Sequence, residues 1–343
     1  MNMRLAERKR AITRGLRLIY ELSRDPEIFS EYGSDLLSCF YFTAATSKDP
    51  ELCRMSRRMG LERARAWRSD FRSVPDDADV STILFFMHGT LSAEGFGLAD
   101  ESLKEEIRRA ASSFEAYDFL SFDPMDEPPP VDVPEQCECG YWNERGRKMC
   151  RQCRKRLLMA SRYRVWYEGL MMTYTAAKLG VSLGASYWDV LKWLPVLHPY
   201  RGREDDENED FYDSVYAVTH IVYTLNDYSV YRLRPQWLPQ EFEFLKASVE
   251  DAIAMEDPEM LGEITDSLQA FGLKETHPLI RRGIDYLLSS QNADGSWGHA
   301  SPKEDIYAYY HSTWTAIDGL RQYPLRPYGL SFHELKPLLK QLQ

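Results

Sequence analysis

Apolar residues recur at every third or fourth position along most of the chain, and acidic residues, several followed by Pro, stand where these periodic stretches begin. Both features predict helices. The period gathers apolar side chains on one face, and a carboxylate in the first turn accepts from N–H groups that lack a partner inside the helix. Signals for strands are scarce, so the expected class is all-α. One set of segments, 34–46, 79–94, 161–180, 212–228, 257–272 and 305–321, mixes small, aromatic and polar residues and reads as inner helices. A second set, 51–70, 101–115, 185–197, 239–255 and 277–290, has plainly charged faces and reads as outer helices. The basic, amphipathic opening MNMRLAERKRAITRGL reads as a further outer helix.

Helical hairpins that alternate in this way bury their apolar faces only by stacking on neighbours, and about six of them close into an α/α toroid. Two stretches break the pattern. Residues 123–136, DPMDEPPPVDVPEQ, read as an extended linker, and 203–210, REDDENED, as a solvated acidic loop. The expected organisation is therefore an N-terminal toroid part at 1–122, an insertion at 123–160 and a C-terminal toroid part at 161–343.

Composition narrows the function. A 343-residue chain that is 44% hydrophobic has material for a large core. Its net charge of −11 argues against a general affinity for nucleic acid or anionic membrane. No apolar run approaches the ~20 residues of a membrane span, and the first residues lack the apolar centre of a secretory signal. A cytoplasmic location is expected. Four of the six cysteines crowd into Cys137-Glu-Cys139 and Cys150-Arg-Gln-Cys153, which favours metal binding over disulfides. Four thiolates complete a tetrahedron around Zn²⁺ and leave no open position, so this metal is expected to be structural. The second half of the cluster resembles short zinc ribbons and RanBP2-type fingers. With Arg145, Arg147, Lys148, Arg151, Arg154, Lys155 and Arg156 beside Tyr141 and Trp142, the resemblance implies an RNA or protein partner; a brace within the chain is the plainer alternative.

Near the C-terminus, Gln291-Asn-Ala-Asp-Gly295-Ser-Trp297 resembles the QxxxGxW repeat of squalene and hopene cyclases. The following segment, from Asp305 to Leu320, resembles an inner helix of the β subunit of protein prenyltransferases, in which a histidine at the position of His311 is a zinc ligand. The Asp-x-Cys pair that completes that zinc site has no counterpart here, because Asp213-Ser-Val215 carries Val where Cys is required. Class II terpene cyclases use a DxDD motif whose middle Asp protonates an alkene. Pro75-Asp76-Asp77-Ala78-Asp79-Val80 resembles a degraded version, which would make Asp79 a general acid; helix capping is the competing role.

Inside a toroid, residues at equal distance from the starts of parallel inner helices lie at one depth, which places His88, His220 and His311 within roughly one turn of each other. Asp213, His220 and Asp227 share a face with Tyr216, and Glu259, Glu263 and Asp266 form an acidic stripe. Histidines with carboxylates suit Fe²⁺, Zn²⁺ or Mn²⁺ with room for substrate. Three functions are thus in play: a metal-dependent enzyme modifying a small molecule or peptide side chain, with His88, Asp213, His220 and His311 as ligands and Tyr216 and Glu263 assisting; a cyclase-like enzyme using Asp79; and a scaffold acting through the zinc module. The oligomeric state is left open.

Overall fold

The computed structural model describes residues 2–204, 208 and 210–341. Four residues of the acidic run, Asp205, Asp206, Glu207 and Glu209, lie outside the described residues, so its reading as a solvated loop is not addressed there. The described chain is helical, with isolated β-bridges and no strand. In order, the helices are α1 (Asn2–Arg24), α2 (Pro26–Thr46), α3 (Pro50–Asp70), α4 (Val80–Gly95), α5 (Glu101–Ala111), α6 (Ala116–Leu120), α7 (Arg162–Leu179), α8 (Tyr187–Leu191), α9 (Phe211–Leu225), α10 (Pro239–Ala254), α11 (Pro258–Ala270), α12 (Pro278–Ser289), α13 (Ile306–Leu320) and α14 (Lys336–Gln341). None of them is long and apolar enough to cross a membrane.

The acidic start signals do the work expected of them. Asp25, Asp49, Asp79, Asp100, Asp257 and Asp305 each accept a backbone N–H from the first turn of the helix that follows. Three boundaries differ from the sequence reading. Helix α2 begins eight residues earlier than residue 34, at the Asp25-Pro26 cap; the chain passes through Gly33 without a break, and the Phe29 ring lies 3.2 Å from where a Gly33 Cβ would stand. Segment 185–197 is not one helix. It stops after Leu191 and resumes as a 3₁₀ turn at Leu194–Leu197, because Pro195 has no N–H to continue an α-helix. Helix α9 ends at Leu225, beyond which Asp227, Tyr228 and Ser229 take positive φ.

Packing partners define the arrangement. Helices α2, α4, α7, α9, α11 and α13 pack in succession, each on the next, and α13 returns to α2. Outside them, α1 lies on α2 and α13, α3 on α2 and α4, α5 on α4, α8 on α7, α10 on α9 and α11, and α12 on α11 and α13. The tightest approach is between α11 and α13. A Cβ at Gly262 would lie 2.4 Å from the Thr315 carbonyl oxygen, and one at Gly319 only 2.9 Å from the Gly262 Cα.

The Gln291–Trp297 segment joins the two ends of the chain. Gln291 Nε2 donates to the Ala11 carbonyl at 2.9 Å, and Arg14 Nη2 donates to the carbonyls of Asn292 and Ala293. Trp297, fully buried, donates from Nε1 to the Leu287 carbonyl at 2.6 Å, while its ring lies against Gly15. Gly295 supplies the turn at φ 103°, a region closed to most side chains. The motif therefore binds α1 to α12 and α13, which ties the first helix to the last pair.

Candidate functional site

Stripes of partly accessible residues run along the helices of the closed succession between neighbours that are fully buried: Asp35, Ser38 and Phe42 on α2; Asp213, Tyr216, His220 and Tyr223 on α9; Tyr307, His311, Trp314 and Asp318 on α13. Their spacing of three or four keeps each set on one face. The stripes face one another. Tyr310 donates to Asp35 Oδ2 across α13 and α2 at 3.0 Å, Tyr216 to Glu259 Oε1 across α9 and α11 at 3.0 Å, and the Tyr167 ring of α7 stacks on His220. Phe42 stacks flat on Tyr228, with centroids 4.2 Å apart. The Tyr307 residue and the Glu168 side chain each retain 43% exposure, yet burial pushes the hydroxyl of one and the carboxyl of the other upward. Water thus reaches a surface around which other protein groups lie close.

At its centre lie two histidines and two glutamates in unlike protonation states. Glu259 faces His311, with Oε1 3.0 Å from Nδ1, and also accepts from Ser312 Oγ at 2.8 Å. Burial disfavours both charges, but mutual attraction with these hydrogen bonds prevails, so Glu259 falls to about 2 and His311 rises to about 9. Glu263, one turn further along α11, feels the His311 cation without a hydrogen bond to it. Burial lifts its carboxyl to about 8 against the opposing pull of His311 and of Thr219, whose hydroxyl donates to Oε2 at 2.5 Å. His220 is held neutral by burial, at about 4. Its Nδ1 lies 2.7 Å from the Tyr216 carbonyl, which can only accept; the proton therefore sits on Nδ1, and Nε2 keeps its lone pair. The Glu263 Oε2 lies 3.9 Å from His220 Nδ1. At neutral pH the centre combines an ion pair, a neutral carboxylic acid and a neutral imidazole.

A second carboxyl pair lies beyond it, towards the C-terminal ends of α11 and α13. Asp266 accepts from Ser229 Oγ at 3.1 Å and is lifted to about 7 by burial and by the neighbouring Asp318. Asp318 pairs with the buried Arg321 at 2.7 Å, and Arg321 Nη1 donates to Thr46 Oγ1 at 2.9 Å, which anchors the end of α13 to α2.

The sequence-derived residues fare unequally. His220, His311, Tyr216 and Glu263 are brought together. The metal set His88, Asp213, His220 and His311 is not assembled as expected: among the described residues, the cysteines form the one group in which three or more ligand atoms lie close enough for a shared ion. Each member is otherwise engaged or displaced. Asp213, in the first turn of α9, accepts from Ser161 Oγ at 2.7 Å; His311 is paired with Glu259; and His220 gives its Nδ1 proton to a carbonyl. His88 has burial holding it neutral, near Asp35, with Nε2 sealed from water and without a hydrogen-bond partner. Asp79 takes up the competing role of helix cap. Asp79 is exposed, caps α4 by accepting from the Thr82 N–H at 2.8 Å, and is lowered by these hydrogen bonds, the reverse of what a proton donor needs. Sequence reasoning missed the role of Glu259 as the partner of His311, although the four-residue step from Glu259 to Glu263 marked both as sharing a face.

The cysteines form a separate site ahead of α7. Sγ atoms of Cys137 and Cys153 lie 3.4 Å apart and those of Cys139 and Cys150 3.7 Å apart, far longer than a disulfide bond. Four thiolates bound at about 2.3 Å to one tetrahedral metal stand roughly 3.8 Å from each other, so the group fits such an ion. Two tight turns build it: the Gly140 N–H donates to the Cys137 carbonyl at 2.7 Å, and the Arg154 N–H to the Cys150 carbonyl at 3.0 Å. Trp193 Nε1 donates to the Pro124 carbonyl, and Arg164 of α7 pairs with both Glu135 and Glu168, so the module is fastened beside α7. Trp142 and Leu158 are 68% and 75% exposed.

No protein-family profile, curated protein or solved structure matches the chain.

Proposed function

We propose that this chain is an α/α-toroid enzyme that performs general acid–base chemistry on a small molecule held within the ring, with the four-cysteine module as a zinc-bound structural insertion. The closed succession of α2, α4, α7, α9, α11 and α13 with an outer layer supports the toroid, as does the motif that fastens α1 to α12 and α13. The observation that carries the reaction class is the contrast between neighbours: Glu263 holds its proton at neutral pH while the adjacent His220 is an unprotonated imidazole. A site with a ready donor beside a ready acceptor suits reactions in which a proton is given to one substrate atom and another is taken from a second, such as isomerisation or proton-initiated cyclisation. In such a step Glu263 gives its proton, His220 Nε2 takes one, and the net charge of the centre is unchanged. The His311 imidazolium, held by Glu259, stabilises negative charge that develops on the substrate.

The test is conversion. The purified protein is incubated with a fractionated small-molecule extract and the products are followed by mass spectrometry. A compound consumed by the wild type and left intact by Glu263→Gln and His220→Ala supports the reading. Conversion by both variants at the wild-type rate, or no compound changed by the wild type, counts against it.

A second reading concerns the zinc module. Its exposed Trp142, Leu158 and Met149 favour a protein partner, and part of the positive charge that RNA would need is met inside the module, where Arg145 pairs with Glu127 and Asp132, and Lys155 with Glu138. Pull-down with Trp142→Ala against wild type tests it, loss of a wild-type partner supporting the docking role and an unchanged set opposing it.

A further inference from the structure

We infer that Thr219 is the positioning residue of the acid, holding Oε2 of Glu263 so that the proton to be given stands on Oε1. This deepens the acid–base reading and rests on it. Thr219 is fully buried on α9, one residue before His220, and its hydroxyl has a single proton to donate. Two acceptors are within reach. One is the Tyr216 carbonyl of the same helix at 3.1 Å, the usual acceptor for a threonine inside a helix. The other is Glu263 Oε2 on α11 at 2.5 Å. The shorter contact takes the proton, and the Tyr216 carbonyl already accepts from His220 Nδ1 at 2.7 Å.

The two oxygens of Glu263 are thereby made unlike. Oε2 accepts from Thr219, whereas among the described residues nothing donates to Oε1. A neutral carboxylic acid carries its proton on one oxygen and accepts best through the other, its carbonyl oxygen. Oε2 is therefore the carbonyl oxygen and Oε1 the one that bears the proton. When that proton leaves, negative charge spreads over both oxygens, and the bond from Thr219 becomes charge-assisted and stronger. Thr219 thus favours the carboxylate left behind. It opposes the burial that holds the Glu263 carboxyl up, and so brings the acid closer to neutral pH, where proton transfer is most efficient. The plain alternative is a threonine that fills space and bonds to its own helix, with no effect on Glu263.

The experiment follows the ¹³C side-chain carboxyl resonance of Glu263 against pH in the full chain, for wild type, Thr219→Val and Thr219→Ser, with thermal melts to confirm folding. Valine keeps the shape and removes the O–H; serine keeps the O–H and removes the methyl. Thr219→Ala takes the place of Thr219→Val should the valine chain not fold. A hydrogen bond to a charged group is worth about one pKa unit or more, so the midpoint should rise by at least about one unit in Thr219→Val and stay within about half a unit of wild type in Thr219→Ser. A midpoint that is unchanged or lowered in the variant without the hydroxyl, or an equal rise in Thr219→Ser, overturns the inference. A lowered midpoint would mean that the hydroxyl accepts the acid's proton instead of binding its anion. The wild-type curve keeps the two failures apart. An ordinary carboxylate midpoint there defeats the acid–base reading and this inference together, whereas a midpoint near 8 that ignores Thr219 removes only the inference.

Discussion

Nδ1 of His311 lies 3.0 Å from Oε1 of Glu259 across the close contact of α13 with α11, and the two side chains hold opposite charges where burial alone would neutralise both. The pair sets the field in which Glu263 and His220 work, so its behaviour with pH is the first consequence to examine. His311 is raised from its ordinary 6.5 to about 9. Its contribution to stability is complete below 6.5 and is lost as pH rises through 9. Glu259 is lowered from 4.5 to about 2, so its contribution is complete above 4.5 and is lost as pH falls through 2. In Glu259→Gln, His311 is left buried with little to hold its proton. Its midpoint, followed by NMR of the imidazole, should fall by more than two units, and the fold should lose about 3 kcal/mol, the cost of stranding one member of a buried pair. A His311 midpoint still near 9 in that variant would show that Glu259 is not its partner.

Glu263 has the opposite sign. Its carboxyl is raised from 4.5 to about 8, so the folded state binds a proton more tightly than the unfolded chain and stability falls as pH rises from 4.5 through 8. Glu263→Gln removes that titration while keeping the shape and a hydrogen bond from Thr219. Denaturant unfolding should find the variant gaining on the wild type between pH 6 and pH 9; an equal difference at the two values contradicts the assignment.

The approach of α11 to α13 depends on Gly262. Its Cβ would stand 2.4 Å from a backbone oxygen, which no side-chain rotation relieves, whereas a Cβ at Gly202 meets nothing within 4 Å. Gly262→Ala should therefore cost about 3 kcal/mol or more in unfolding free energy, near the upper end for overpacking, and Gly202→Ala less than about 0.5 kcal/mol. Because Glu259 and Glu263 ride on α11, Gly262→Ala should also lower the His311 midpoint.

The cysteine module should hold one zinc per chain in protein purified without chelator, and Cys150→Ser should reduce that content below half. Because the helices pack through their own core, the variant should keep its helical circular dichroism while Trp142 fluorescence changes. Loss of most helicity would make the module part of the folding core rather than an insertion.

Much of this fold is written in local signals. Asp-Pro pairs at 25–26, 49–50 and 257–258 mark helix starts because the carboxylate and the proline ring both act within a single turn. The QxxxGxW segment was legible for a similar reason, since Gly295 and Trp297 have narrow requirements. The centre was only half legible. Spacing placed Tyr216 and His220 on one face of α9, and Glu259 and Glu263 on one face of α11, but which group would face which depends on the azimuth of packed helices, and that is a property of the whole helical assembly. Hence Glu259 takes His311, Asp213 turns to Ser161 at the start of α7, and the expected set of metal ligands does not come together. Asp79 misled because a capping carboxylate and a catalytic one look alike in a short motif; exposure and bonded N–H groups separate them.

The most direct test is the protonation of Glu263 itself. With ¹³C-labelled glutamate, the Glu263 side-chain carboxyl resonance is assigned by its absence in Glu263→Gln and followed from pH 4 to pH 10. A single midpoint near 8, with the acid still protonated at pH 7, is the predicted result. A midpoint at or below 4.5 would mean that Glu263 is an ordinary carboxylate, that the centre has no proton to give at neutral pH, and that the acid–base account is wrong.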